Sequence, residues 1–132
     1  GRIDNFASSE QIVYDTVSNY TASKTLVNNK IAYDGKWIVM NEYANPQKGA
    51  KIYLNFEAKE VFLVMRTNGA PAKVKVYIDD NVQFFGEDNL NGIVTVDSDK
   101  LYKLINLPIV GRHILRLEFE DNNSQLFAFT FG

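Results

Sequence analysis

Two tyrosines, Tyr53 and Tyr77, fall on the polar side of runs that alternate apolar and polar residues, and rings so placed can stack. An exposed ring can take the apolar face of a pyranose while polar groups beside it bond the hydroxyls. Asn55, Lys75 and Asp79 share the faces of the two tyrosines and would supply such groups. Trp37 is a further candidate ring at the opening of an apolar run, although its flanks do not fix its face and a core position suits it better. Aromatics make up 13% of the chain, enough to supply both a core and a platform. The competing reading is that the tyrosines form cross-strand aromatic pairs that steady a sheet without any ligand, and on the residues alone it stands ahead.

Other chemistry finds less to work with. His113 is the single histidine, so any mechanism needing an imidazole must use it. It has core-side parity just after Gly111 and no serine partner at a recognisable spacing, which fits a structural, hydrogen-bonded histidine. The stretch Glu87-Asp88-Asn89-Leu90-Asn91-Gly92 resembles a calcium loop, but no glutamate stands at the twelfth position that such a loop requires. Asp88 is left as a weak metal candidate, with a solvated turn the better reading. Sixteen acidic residues make chance carboxylate pairs easy, so a hydrolase is the least favoured reading. There is no cysteine, which removes thiol chemistry and sulfur-based zinc sites. No glycine-rich nucleotide motif follows a strand. No catalytic residue and no cofactor are expected.

The elements that must carry these residues are strands. In Lys51 to Glu57, residues Ile52, Leu54 and Phe56 share one face. Lys73 to Asp79 places Val74, Val76 and Ile78 together, and Arg112 to Glu120 does the same for His113, Leu115, Leu117 and Phe119. Val61 to Met65 is apolar on both faces, as a central strand would be. Weaker strands are expected at Trp37 to Tyr43, Asn81 to Phe85, Ile93 to Val96, Leu101 to Ile105 and Gln125 to Phe131. In the last of these, Phe127, Phe129 and Phe131 share one parity and read as core. Turn residues separate the runs at Asn45-Pro46, Gly49, Asn68-Gly69, Asp79-Asp80-Asn81, Asn91-Gly92, Gly111 and Asp121-Asn122-Asn123. About eight or nine short strands at this spacing predict an all-β fold, a two-sheet antiparallel jelly-roll sandwich. Its expected core is Ile52, Leu54, Phe56, Val61, Leu63, Val74, Val76, Ile78, Leu115, Leu117 and Phe119. Residues 1–29, rich in Ser, Thr and Asn with scattered apolar residues such as Phe6, Tyr20 and Leu26, read as a linker that wraps onto a sandwich domain at 30–132.

Composition excludes whole classes of partner. A net charge of −2 with scattered basic residues offers no stripe for nucleic acid and no cluster for anionic lipid. No apolar stretch is long enough for a membrane-spanning helix, so direct membrane insertion is not expected. Gly1-Arg2-Ile3-Asp4 does not open a signal peptide, and any targeting signal is expected upstream, the chain reading as a fragment.

A set of short motifs runs in order from about Ile31 to the end. They are Gly35-Lys36-Trp37, Gly49-Ala50, Phe56-Glu57-Ala58, Val61-Phe62-Leu63-Val64, Val76-Tyr77-Ile78-Asp79, Gly86-Glu87-Asp88 and Val96-Asp97. They continue with Leu101-Tyr102-Lys103-Leu104, His113-Ile114-Leu115 and the closing Ala128-Phe129-Thr130-Phe131-Gly132. The chain thereby resembles the C-terminal domain of DipZ-type thiol:disulfide interchange proteins and related thioredoxin-like redoxin proteins. Asp80-Asn81 stands where that pattern usually carries glycine. The resemblance implies a β-sandwich similar to carbohydrate-binding modules, placed after a thioredoxin-like domain in an exported protein of cytochrome c biogenesis type. It implies an accessory, non-catalytic role, an extracytoplasmic location at the periplasm or cell surface, and a glycan as ligand. The alternative it leaves open is a protein-interaction domain that docks on the adjoining thioredoxin-like domain or its clients. The Cys-x-x-Cys motif of such proteins is absent from this chain.

Overall fold

The computed structural model describes residues 12–22 and 28–132, and among them there are strands and turns but no helix. The strands are β1 (Val17–Tyr20), β2 (Ile31–Val39), β3 (Ala44–Pro46), β4 (Lys51–Thr67), β5 (Ala72–Ile78), β6 (Ile93–Val96), β7 (Lys100–Phe119) and β8 (Ser124–Phe131). Every ladder between them is antiparallel, in the order β1-β2-β3-β8-β4-β7-β5-β6, with β2 also pairing β4.

The spine is the ladder between β4 and β7, which runs from Lys51 opposite Glu118 to Met65 opposite Lys100. On the other side of β4, β2 pairs with Lys51 to Leu54 and β8 pairs with Val61 to Thr67. The first half of β4 therefore belongs to one layer, with β1, β2, the end of β7, β5 and β6. Its second half belongs to the other, with β3, β8 and the start of β7. The expected sandwich is present, but its layers are hydrogen-bonded into one folded sheet. A register slip between Ala58 and Glu60 makes the change of layer possible. Before the slip the even residues Ile52, Leu54 and Phe56 are buried; after it the odd residues Val61, Leu63 and Met65 are.

All eleven expected core residues are at most 4% exposed. Three local readings are corrected. Asn45-Pro46 is not a turn but most of the short strand β3, where the Asn45 amide bonds the Ser124 carbonyl at 2.7 Å and ties β3 to β8. Asn81 to Phe85 forms no strand; Phe84 lies at a positive φ of 58°, and only single bridges join Asn81 to Ile78 and Phe85 to Ile105. Gly111 does not end a strand but lies within β7, which unites the expected Leu101 to Ile105 and Arg112 to Glu120 runs. An added Cβ at Gly111 would fall 2.9 Å from His113 Nε2, so the glycine leaves the imidazole room that a side chain would take only by displacing the ring.

Of the N-terminal segment, β1 adds an edge strand to β2, and Tyr20 is buried with its ring 5.6 Å from that of Tyr33. Its hydroxyl accepts from the Val13 amide at 3.0 Å. Phe6 and Leu26 lie outside the described residues.

Candidate functional site

The alternation in β4, β5 and β7 sets three side chains in one row on the outer face of the first layer. Register places Tyr53 opposite Arg116, and Arg116 opposite Tyr77. Cross-strand neighbours at such positions touch, and the Arg116 guanidinium lies 4.2 Å from the centre of the Tyr77 ring. Both tyrosines are half-exposed. Arg116 is fixed from two further sides: its Nη1 donates to Asp80 and its Nε to Glu118 at 2.9 Å. Burial works against its charge, but these two carboxylates more than offset that and raise its pKa. The next row carries Lys51, Glu118 and Lys75, with a 4.0 Å ion pair from Lys51 to Glu118. Beside it a groove of 260 Å³ is lined by Lys48, Gly49, Lys75, Glu118, Phe119 and Glu120. The result is a strip, a row of three partly exposed planar groups rimmed by charge, with the guanidinium lying over the Tyr77 ring. It can stack on an apolar surface and bond hydroxyls; nothing in it is set up as a nucleophile.

The other sequence candidates go elsewhere. Trp37 is fully buried, its Nε1 donating to the Asp34 carbonyl at 3.0 Å, so it is a core residue and not a platform. Its parity on β2 points inward, against Tyr33 and Phe119. Asn55 shares the strip's face but is only 8% exposed; its amide donates to Asn28 and accepts from Arg112, so it serves to pin the chain before β2. Asp79, at a φ of 49°, accepts from the Ile114 amide at 2.9 Å and pairs with His113 Nδ1 at 2.5 Å. That pair clamps the turn after β5 onto β7. Among the described residues no hydroxyl hydrogen-bonds to His113.

Asp88 also has its oxygens in use. One accepts from the Lys103 amide at 2.8 Å, the other from the Lys100 ammonium at 2.9 Å. Burial would raise its pKa; these hydrogen bonds and the two lysine charges outweigh that and lower it. The carboxylate thus brackets its loop against β7. The same loop approaches β7 so closely at Gly86 that a Cβ there would meet the Lys103 carbonyl oxygen at 2.4 Å. Among the described residues no group of three or more His, Asp or Glu side chains converges as a metal site.

A second cluster was missed in the sequence. On the outer face of the other layer, Tyr43 and Phe127 lie 5.7 Å apart, and the Arg66 guanidinium sits over both, 5.4 Å and 5.0 Å from their centres. Arg66 Nε donates to Gln125 Oε1 at 2.5 Å. An open groove of 360 Å³ adjoins them, lined by Val64, Met65, Arg66, Asp99, Lys100, Leu101 and Phe127. Strict alternation in β8 put Phe127 in the core with Phe129 and Phe131. The ladder instead slips between Val64 opposite Ala128 and Met65 opposite Leu126, leaving Phe127 as the extra, outward residue. Leu126 is buried in its place, Phe129 is partly buried against the core, and Phe131 is 49% exposed.

A family model described as thioredoxin-like C-terminal domain matches residues 1–132. No curated protein matches the chain. Among solved structures, a family two carbohydrate esterase from Clostridium thermocellum in complex with cellohexaose aligns with a TM-score of 0.55 and 20% identity, covering 69% of this chain and 27% of that one. An active-site mutant of a family two carbohydrate esterase from Clostridium thermocellum aligns at 0.64 and 20% identity, covering 80% and 32%. A family two carbohydrate esterase from Cellvibrio japonicus aligns at 0.59 and 11% identity, covering 77% and 30%. These likenesses establish a shared β-sandwich fold, and the chain spans a third or less of each of those proteins.

Proposed function

The chain belongs to the thioredoxin-like C-terminal domain family, and from that premise we propose that it is a non-catalytic module that binds glycans for a thioredoxin-like thiol:disulfide interchange protein. The observation that carries the proposal is the row Tyr53–Arg116–Tyr77, three partly exposed side chains on adjacent strands of one outer face, with the Arg116 guanidinium over the Tyr77 ring. A fold neighbour that was solved with cellohexaose adds support by analogy of scaffold only. The extracytoplasmic setting is part of the same proposal and rests on the sequence resemblance.

A glycan array followed by calorimetry on the best hit tests it. Tyr77→Ala should weaken that hit about tenfold or more, equivalent to about 1.4 kcal/mol, while its thermal melt stays close to that of the parent chain. Binding that ignores both Tyr77→Ala and Tyr53→Ala would remove the strip from the proposal.

Docking on a thioredoxin-like domain is the second reading. It draws on Ile109 and Val110, which β7 projects into solvent at 75% and 63% exposure. Exposed apolar side chains of this kind are covered in many complexes. A blank array, with amide shifts at these residues on adding a thioredoxin-like domain, would favour it over the glycan reading.

Under either reading the chain by itself should be redox-silent, because it holds no thiol. Insulin-reduction and thiol-oxidation assays are expected at buffer rates; turnover by pure protein would place chemistry in this domain after all.

A further inference from the structure

We propose that the groove beside Arg66 is a second binding site, specific for the carboxylate of an acidic, uronate-containing glycan. The proposal rests on the glycan-binding reading above but uses a different face of the sandwich. Its starting point is the unequal treatment of three arginines. Arg112 pairs with Glu57, and Arg116 with Asp80 and Glu118. Arg66, among the described residues, has no carboxylate within ion-pair distance, and its recorded hydrogen bond uses only Nε. Its two terminal nitrogens are therefore presented as an unoccupied fork. The fork is also held still: Gln125 fixes Nε, while the rings of Tyr43 and Phe127 hold the guanidinium plane. A rigid guanidinium loses little freedom on binding, and its geometry matches a carboxylate bidentately.

The surroundings say what should carry that carboxylate. Phe127, Val64 and Leu101 give the groove an apolar part of its lining, with Leu101 39% exposed. This suits the C–H face of a sugar ring. Asp99 and Lys100 line the same groove. Lys100 is already neutralised by Asp88 at 2.9 Å, so Asp99 is left to accept from hydroxyls and to repel a second anion. A ligand with an anionic group, hydroxyl donors and an apolar ring face matches this lining, and a hexuronate combines the three. The volume of 360 Å³ is at the small end of ligand pockets, in keeping with one or two sugar rings.

The test uses the whole chain with trigalacturonate and trimannuronate as probes, their methyl esters as neutral controls, and a polyglutamate peptide as the protein-type competitor. At least one trimer should bind, with amide shifts at Leu101 and Phe127, and its ester should bind at least tenfold more weakly. Arg66→Gln should weaken the acid at least tenfold; Arg66→Lys, which keeps the charge but loses the fork, should fall between. Tyr77→Ala should leave uronate binding unchanged, which separates this site from the strip. Shift mapping on the unsubstituted chain keeps the test valid if Arg66→Gln folds poorly. No binding of either trimer, equal binding of acid and ester, indifference to Arg66, or tighter binding of the peptide would each overturn the proposal. Neutral glycans lost on Tyr77→Ala with both trimers blank would overturn it while leaving the module's proposed function standing.

Discussion

Replacing Trp37 by alanine should destabilise the chain by about 3–5 kcal/mol, the range for deleting a large aromatic from a packed core. The indole is fully buried, 4.7 Å from the ring of Tyr33 and edge-on to Phe119 at 5.5 Å. Tyr33 in turn neighbours Tyr20. Trp37 thereby links the edge strand β1, through β2, to the end of β7. Its loss would leave a cavity that three strands line, and would remove the hydrogen bond to the Asp34 carbonyl. Trp37→Phe should lose less, since a ring remains, and should bind glycan like the parent chain if the fold holds. Denaturant midpoints for the two variants measure the first effect, and calorimetry the second. An alanine variant as stable as the parent would mean that the packing of β2 is misassigned.

That residue also marks how far the sequence was legible. Where a strand serves one layer and alternates cleanly, parity alone placed the core, as in Ile52 to Phe56, Val74 to Ile78 and Leu115 to Phe119. Tyr53 and Tyr77 came out on the solvent side for the same reason. Trp37 lies between Lys36 and Ile38, one polar and one apolar, so alternation does not fix its face, and only the ladders of β2 resolve it. Bulges were the other source of error. The slip that exposes Phe127 changes parity within β8, and a period of two cannot reveal where an extra residue is absorbed.

The arginine sites depended on contacts that no spacing encodes. Arg66, Tyr43 and Phe127 come from β4, from the loop before β3 and from β8 respectively, and Arg66 reads in the sequence as one polar residue ending an apolar run. The pairing of His113 with Asp79 is equally remote, linking residues on β7 and in the turn after β5. What the sequence did contain was the means for it: an aspartate that tolerates positive φ at the turn, and a glycine two residues before the histidine that leaves the ring its space. Glycine was legible as a special position at Gly111, but its function there was spatial, where a turn had been expected.

A pair of neighbouring substitutions on β7 should give the clearest reading of the architecture. Leu117→Ala is expected to cost about 2–5 kcal/mol. Leu117 is fully buried at the centre of its layer, opposite Ile52 on β4 and Val76 on β5, so strands on both sides limit how far the gap can close. Arg116 next to it points the other way and should cost far less. It is nevertheless more than an ordinary surface residue, because its guanidinium stacks on Tyr77 and joins Asp80 to Glu118. Exposed ion pairs contribute about 0–1 kcal/mol, and a solvent-accessible cation–ring contact about 0.5–1 kcal/mol. Arg116→Ala should therefore cost about 1 kcal/mol, with the difference from Leu117→Ala growing as the cavity fails to collapse. The two variants should separate again in binding. Leu117→Ala, where folded, keeps the outer strip and should hold its glycan affinity. Arg116→Ala leaves Tyr77 without the group that orients its ring and should lose affinity despite its near-normal melt. Urea midpoints together with calorimetry on the same samples decide the matter. Equal stability losses would mean that β7 is turned the other way round, and that Tyr53, Arg116 and Tyr77 do not share a solvent face.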